Sequence, residues 1–225
     1  MVSTRMGFLV AIAISSIIYG CGKKMQESSD SVLLPSPVKV VSDVNLSASS
    51  MGNMIDISIG RQDAPVTIIE YSSMTCFHCA SFHNNVFGKI EDKYIKTGKV
   101  RYILREFPMD SASMAASMLA RCAENRSEGG YFGFLSIVFK NNEDLLKSSN
   151  YWQFLLNMAK VAGFSQREFD SCLKNQDILD NINLGKKRAL EKFSIDATPS
   201  FLIGGNVYAG AMSADIFFKI IDSML

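Results

Sequence analysis

The 225-residue sequence predicts an α/β protein: one sheet, with an all-helical block inserted into it. Three observations carry that expectation. An apolar, β-branched run, Val66-Thr67-Ile68-Ile69-Glu70-Tyr71, leads through Ser72-Ser73-Met74-Thr75 into a helix-compatible segment opened by Cys76-Phe77-His78-Cys79, and a second strand-like run spans Val100 to Phe107. From Asp110 to about Phe193 the pattern is wholly helical. The chain then returns to two short strand-like runs and an amphipathic helix. Each β-containing part is too small to bury a core alone, so the two must share one sheet.

Taken in order, Met54-Ile55-Asp56-Ile57-Ser58-Ile59 alternates apolar and polar, the pattern of a half-buried strand. Gly60 to Pro65 reads as a turn, and Val66 to Tyr71 has the near-continuous apolar character of a central strand. A helix from Cys76 to about Lys96 stops at Thr97-Gly98. Strand, helix and strand with short loops form a βαβ unit, right-handed by rule. In the helical block, Asp110 or Ser111 can cap a helix with Met114, Met118 and Cys122 on one apolar face. Gly129-Gly130 breaks it, and Tyr131 to Phe139 and Tyr151 to Val161 give two more helices. Ser165-Gln166-Arg167-Glu168 resembles a capping box opening a fourth, with Phe169, Cys172 and Leu173 on one face, and Asp177 to Phe193 is a fifth. Ser200 to Ile203, Gly204-Gly205 and Asn206 to Gly210 read as a hairpin, and Ser213 to Leu225 as the closing helix.

The ends and the composition narrow the function. Arg5 is the only early charge before an apolar stretch from Met6 to Tyr19. That stretch falls short of the roughly 20 residues a membrane-spanning helix needs and fits a secretory signal. Ile18-Tyr19-Gly20-Cys21 resembles a bacterial lipobox, in which Cys21 would become lipidated; ordinary signal cleavage near this point is the alternative. Five cysteines less a lipidated Cys21 would leave an even four for an oxidising compartment. Residues 21–52, rich in Ser, Asp, Val and Pro, read as a flexible tether. The expected organisation is therefore a signal peptide at 1–20, the tether, and a folded domain at 53–225 with its insertion at about 110–193. A net charge of +1 gives no reason to propose nucleic acid as a partner.

Two cysteines three apart at the first turn of a helix can close a small disulfide ring. The first sits beside unpaired backbone N–H groups and the positive end of the helix dipole, which favour thiolate over thiol. Cys76 is therefore the candidate nucleophile, and Cys79, one turn in, the resolving thiol. Half of a zinc site is the other reading of the pair, but His78 and His83 are the only histidines, and no metal or other cofactor is expected.

A βαβ unit with CxxC at its helix start, followed much later by Ala197-Thr198-Pro199-Ser200-Phe201 and Gly204-Gly205, has the layout of a thioredoxin fold. With Glu70-Tyr71-Ser72 before the site and helices inserted between the units, the sequence resembles the DsbA-like, thioredoxin-4 branch of that superfamily over about Ile55 to Leu225. The resemblance implies a depressed Cys76 pKa, a cis Pro199 that presents the Thr198 backbone to an extended substrate, and a buried acid at Glu70 relaying protons to Cys79. Without it, Glu70 could equally be a strand-end residue reaching solvent. His78 between the cysteines is expected to tune Cys76, or to be merely exposed. Phe77 stands where proline is common and bears on the redox potential. His83 is expected at the surface or in packing. Cys122 and Cys172 lie on apolar helix faces and are expected to form a structural disulfide, two buried thiols being the alternative. Met74, Met109, Met114 and Met118 could line a peptide groove, although methionines at helical spacing are more often core.

These readings point to a periplasmic dithiol oxidase, soluble or anchored as a lipoprotein. It would act on unfolded exported proteins with free cysteines, be reoxidised by a membrane partner, and need to be no more than a monomer. An isomerase or reductase of the same fold is the alternative. A metal-delivery lipoprotein is the reading from another class, and its CxxxC with a downstream histidine is absent.

Overall fold

A computed structural model describes residues 34–41, 54–124 and 130–225. The expected signal segment, Cys21 and most of the tether lie outside the described residues. The strands are β1 (Lys39–Val40), β2 (Ser58–Ile59), β3 (Val66–Ser72), β4 (Val100–Glu106), β5 (Ser200–Ile203) and β6 (Asn206–Ala209). They form one mixed sheet in the order β1-β6-β5-β3-β4-β2. β3 runs parallel to β4 from Val66↔Val100 to Ser72↔Glu106, and antiparallel to β5 from Ile68↔Ile203 to Tyr71↔Ser200. The β3–β5 ladder joins the N-terminal βαβ unit to the C-terminal hairpin, so the helical block is an insertion between β4 and β5. Gly204 and Gly205, at φ 54 and 82°, make the two-residue turn whose mirror-image geometry matches the twist of a hairpin.

The first helix, α1, covers residues 77–95 and alternates α-wound turns (Phe77–Phe82, Gly88–Ile90) with wider π-wound ones (His83–Phe87, Glu91–Ile95). Then come α2 (Ser111–Cys122), α3 (Gly130–Lys140), α4 (Asn142–Lys147), α5 (Tyr151–Val161), α6 (Gln166–Leu173), α7 (Gln176–Phe193) and α8 (Ala214–Asp222). Asp110 caps α2, accepting from the Ser113 N–H at 2.7 Å, and Ser165 with Glu168 forms the full capping box of α6. Helix α4 has no counterpart in the sequence reading. It is a turn and a half with Leu145 as its one buried apolar side chain, too short to show a period.

Two expectations need correcting. The strand read over 54–59 shrinks to Ser58–Ile59, because side chains hold the rest. The Asp56 carboxylate takes two bonds from Arg105 (2.9 and 2.7 Å), and the Ile55 carbonyl accepts from Arg121 at 3.0 Å. Within the stretch read as tether, Lys39–Val40 pairs with β6 at the sheet edge. Lys39 fixes it there by donating to the Lys192 carbonyl (2.9 Å) and the Ser194 hydroxyl (3.1 Å) at the C-terminal end of α7, where a cation is favoured.

The period of two along β3 divides the core. Ile68 faces the large cluster under α1, α8 and the inserted helices, whereas Ile69 and Tyr71 face a smaller one closed by Ala189 and Phe193 of α7. The insertion is tied to the sheet by a buried ion pair. Arg121 of α2 holds both oxygens of Glu106 at the end of β4 (2.5 and 2.7 Å), and the Tyr131 hydroxyl of α3 donates to the same carboxylate at 2.7 Å. A disulfide between Cys122 and Cys172 staples α2 to α6. Restricting the unfolded chain over a sequence separation of 50 is worth about 4 kcal/mol in the loop-entropy account. Removing one partner of the ion pair leaves the other charged and buried, so Arg121→Leu should cost about 3–5 kcal/mol of unfolding free energy in denaturant titration. A loss under about 1 kcal/mol would show that the pair is dispensable.

Candidate active site

The loop between β3 and α1 is held from the insertion side. The Thr75 hydroxyl donates to Asp110 at 2.7 Å, Ser73 and Ser113 hydroxyls pair at 2.7 Å, and Asn142 of α4 donates to the Met74 carbonyl at 2.9 Å. The insertion thus fixes the residues that deliver Cys76. Met74 is wholly buried in this clamp and lines no groove. Met109, Met114 and Met118 instead line a cavity of about 460 Å³ with Pro108, Trp152 and Lys186.

Cys76 occupies the N-cap position of α1, with extended backbone (φ −76°, ψ 118°), and is half-buried, whereas Cys79 is fully buried; both are free thiols. Thr198, joined to Pro199 by a cis peptide, faces the pair across the cleft: Cys76 Sγ lies 3.3 Å from its carbonyl oxygen. Local electrostatics lower the Cys76 thiol from the ordinary 9.0 to about 5. The largest cause is a hydrogen bond from the Cys79 thiol. Partial burial opposes it, and the Thr198 side chain and the backbone N–H groups of Cys79 and His78 add to it. The Thr198 carbonyl can only accept, so it favours the protonated thiol; the donors outnumber it. Cys79 moves the opposite way. Burial raises it most, followed by its bond to Cys76 and the negative charge of Glu70.

His78 is exposed, and its backbone N–H is among the groups that lower Cys76. Phe77 is 62% exposed and meets the His78 ring edge-on at 5.8 Å.

Glu70 lies on β3 and is completely buried, so it is no solvent-reaching strand end. The Tyr102 hydroxyl of β4 donates to its Oε2, and His83 Nε2 lies 2.7 Å from the same oxygen. Oε1 has no hydrogen-bond partner among the described residues. The sequence reading gave His83 no role. It stands four residues after Cys79, one turn further on the same helix face, and a buried acid on the facing strand needs a partner. Those two signals together could have found it. Among the described residues, no three His, Cys, Asp or Glu side chains gather as a metal site.

A half-buried sulfur at a helix N-terminus, a buried second sulfur one turn on and the Thr198-Pro199 strand opposite have the layout of a thioredoxin-type site. Comparison with known proteins agrees. The model of a family described as thioredoxin, of the thioredoxin-4 type, matches residues 53–223. Crystallised alpha-DsbA1 of Wolbachia pipientis is similar at 34% identity and TM-score 0.69, over 75% of this chain and 90% of that one. BdbD from Bacillus subtilis shares the fold at 19% identity and TM-score 0.66, over 75% of this chain and 92% of that one. A Rickettsia bellii chain, named as a candidate protein-disulfide oxidoreductase, is 29% identical over 67% of this chain. This chain spans 57% of that relative's length. The chain belongs to the DsbA-like, thioredoxin-4 family.

The depressed Cys76 pKa sets a pH dependence. Between about pH 5 and pH 8 the folded reduced protein carries a Cys76 thiolate, while the unfolded chain keeps that proton. The unfolded state then binds more protons, so this contribution to stability grows as pH rises above about 5 and is lost as pH falls through it. Cys79 stays protonated in both states across that window and does not alter the sign. The alkylation rate of Cys76 should accordingly be flat at neutral pH and fall with a midpoint near pH 5. A midpoint above about pH 8, the free-cysteine range, would refute the donor set.

Proposed function

We propose that this chain is a thiol–disulfide oxidoreductase that works as a dithiol oxidase on exported proteins through Cys76 and Cys79. The observation that carries the reading is the contrast between an accessible sulfur held as thiolate and a buried sulfur held as thiol. Stabilising the Cys76 thiolate stabilises the reduced protein, which makes the disulfide form ready to oxidise others. A substrate thiolate attacks Cys76 Sγ, the Cys76–Cys79 bond breaks, and Cys79 leaves with the electron pair. A second substrate thiolate then attacks the substrate sulfur of the mixed disulfide; the new substrate disulfide forms and Cys76 leaves as a stabilised thiolate. Attack has to occur at Cys76, because Cys79 is shut off from solvent.

Thr198 and Pro199 would align an extended substrate chain along the cleft, as in strand addition. Exposed apolar groups beside the site, Phe77 and the Met109 and Trp152 walls of the cavity, suit unfolded polypeptide, which has no fixed shape to read. Glu70 would relay the Cys79 proton. The export signal expected at 1–20 from the sequence favours a periplasmic location, with a lipid anchor at Cys21 and reoxidation by a membrane partner as parts of the same proposal. No helix among the described residues is long and apolar enough to cross a membrane.

In a peptide-oxidation assay, Cys76→Ser should fall to background. Cys79→Ser should still attack disulfides and accumulate the mixed disulfide at Cys76. Undiminished oxidation by Cys76→Ser would remove the reading. Preferential reactivation of scrambled substrate over oxidation of reduced peptide would move it to an isomerase.

A further inference from the structure

In the exchange just proposed, on which this inference rests, Cys79 must gain a proton when it leaves and lose one when it re-forms the disulfide. Cys79 is sealed from solvent, so those protons need a path. The group that meets this need is Glu70, whose charge acts on Cys79 and whose buried Oε1 has no partner among the described residues. Its Oε2 is held by Tyr102 and His83. Tyr102 cannot pass protons near neutrality, since burial above all, and then the Glu70 charge, hold its hydroxyl protonated. An imidazole, by contrast, has one nitrogen that accepts and one that donates, so it can take a proton at one and give one at the other.

The setting of His83 makes it a passage. Its ring is clamped between Phe139, stacked at 4.4 Å and 13°, and the edge-on ring of Phe82 at 5.3 Å. Its side chain is 9% exposed, and it forms part of the wall of a second cavity of about 480 Å³, lined also by Asn84, Glu91, Ser136 and Lys140. This cavity shares no lining residue with the one at Met109 and Trp152.

We propose that His83 is the proton port of Cys79: it carries protons between Glu70 and this second cavity, so that the buried thiol is served from the far side of α1 and not past Cys76. When the Cys76–Cys79 bond breaks and Cys79 leaves with the electron pair, a proton passes to it from the Glu70–His83 pair, and the pair recovers one from water in the cavity. On reoxidation by the disulfide of a partner, Cys79 returns its proton to the pair as its sulfur rejoins Cys76, and the two electrons pass to the partner. The charged and titratable groups facing His83 are Glu70 from β3, with Tyr102 of β4 behind it, Cys79 one turn back on α1, and Glu91 and Lys140 on the cavity wall. From α3 the contact is the Phe139 ring. His83 acts through Glu70 and is a positioning residue with a proton to carry.

The test follows reduction of the oxidised full-length protein by a dithiol peptide across pH, and in parallel alkylation of Cys76 in the reduced protein. His83→Gln keeps a hydrogen-bonding side chain but cannot titrate. Peptide oxidation should slow on the order of tenfold or more and lose the inflection that the imidazole contributes, while Cys76 alkylation stays unchanged. His83→Ala should recover rate on addition of free imidazole. An unaltered His83→Gln rate, a slowed rate with the inflection intact, or no imidazole recovery would overturn the assignment. So would a parallel loss of Cys76 alkylation, which would mark His83 as a packing support. A wild-type protein that oxidises no peptide would instead fail the exchange reading itself, together with everything resting on it.

Discussion

The structure turns on the set of donors gathered at Cys76 Sγ. The start of α1 supplies two backbone N–H groups, and the Cys79 thiol and the Thr198 side chain supply two more donors. They come from both halves of the chain, Cys79 with the βαβ unit and Thr198 with the hairpin, 122 residues from Cys76 in sequence. The β3–β5 ladder brings those halves together. A fold that failed to seat β5 against β3 would remove the Thr198 donor and leave Cys76 only those of α1.

The inserted helices contribute without touching the sulfurs. Asp110, Ser113 and Asn142 hold residues 73–75, and Arg121 and Tyr131 fix that block to the end of β4 through Glu106. The insertion therefore sets where the active-site turn lies and walls a cavity beside it. Beneath the turn, the same sheet carries a buried acid. Its cost is offset by Tyr102 and His83 on one oxygen, while the other has no partner among the described residues.

Much of this was legible in the sequence because it is written in local signals. The β-branched run 66–71, CxxC at a helix start, the Ser165 capping box and the Gly204-Gly205 turn each fix a conformation within a few residues. The resemblance added the pairing of Thr198-Pro199 with the cysteines, a contact no local pattern encodes. What escaped depends on distant partners. Asp56 and Ile55 gave up their strand to Arg105 and Arg121, and Lys39 found the end of α7. Helix α4 was too short to show a period. His83 had no local mark of function, and it acquired one only when β3 placed Glu70 2.7 Å from its ring.

The most direct measurement is the reduction potential of the Cys76–Cys79 couple, by equilibration against glutathione. Thiolate stabilisation in the reduced protein predicts an oxidising couple, at roughly −180 mV or above. A value near the roughly −270 mV of a thioredoxin-like reductant would contradict the account.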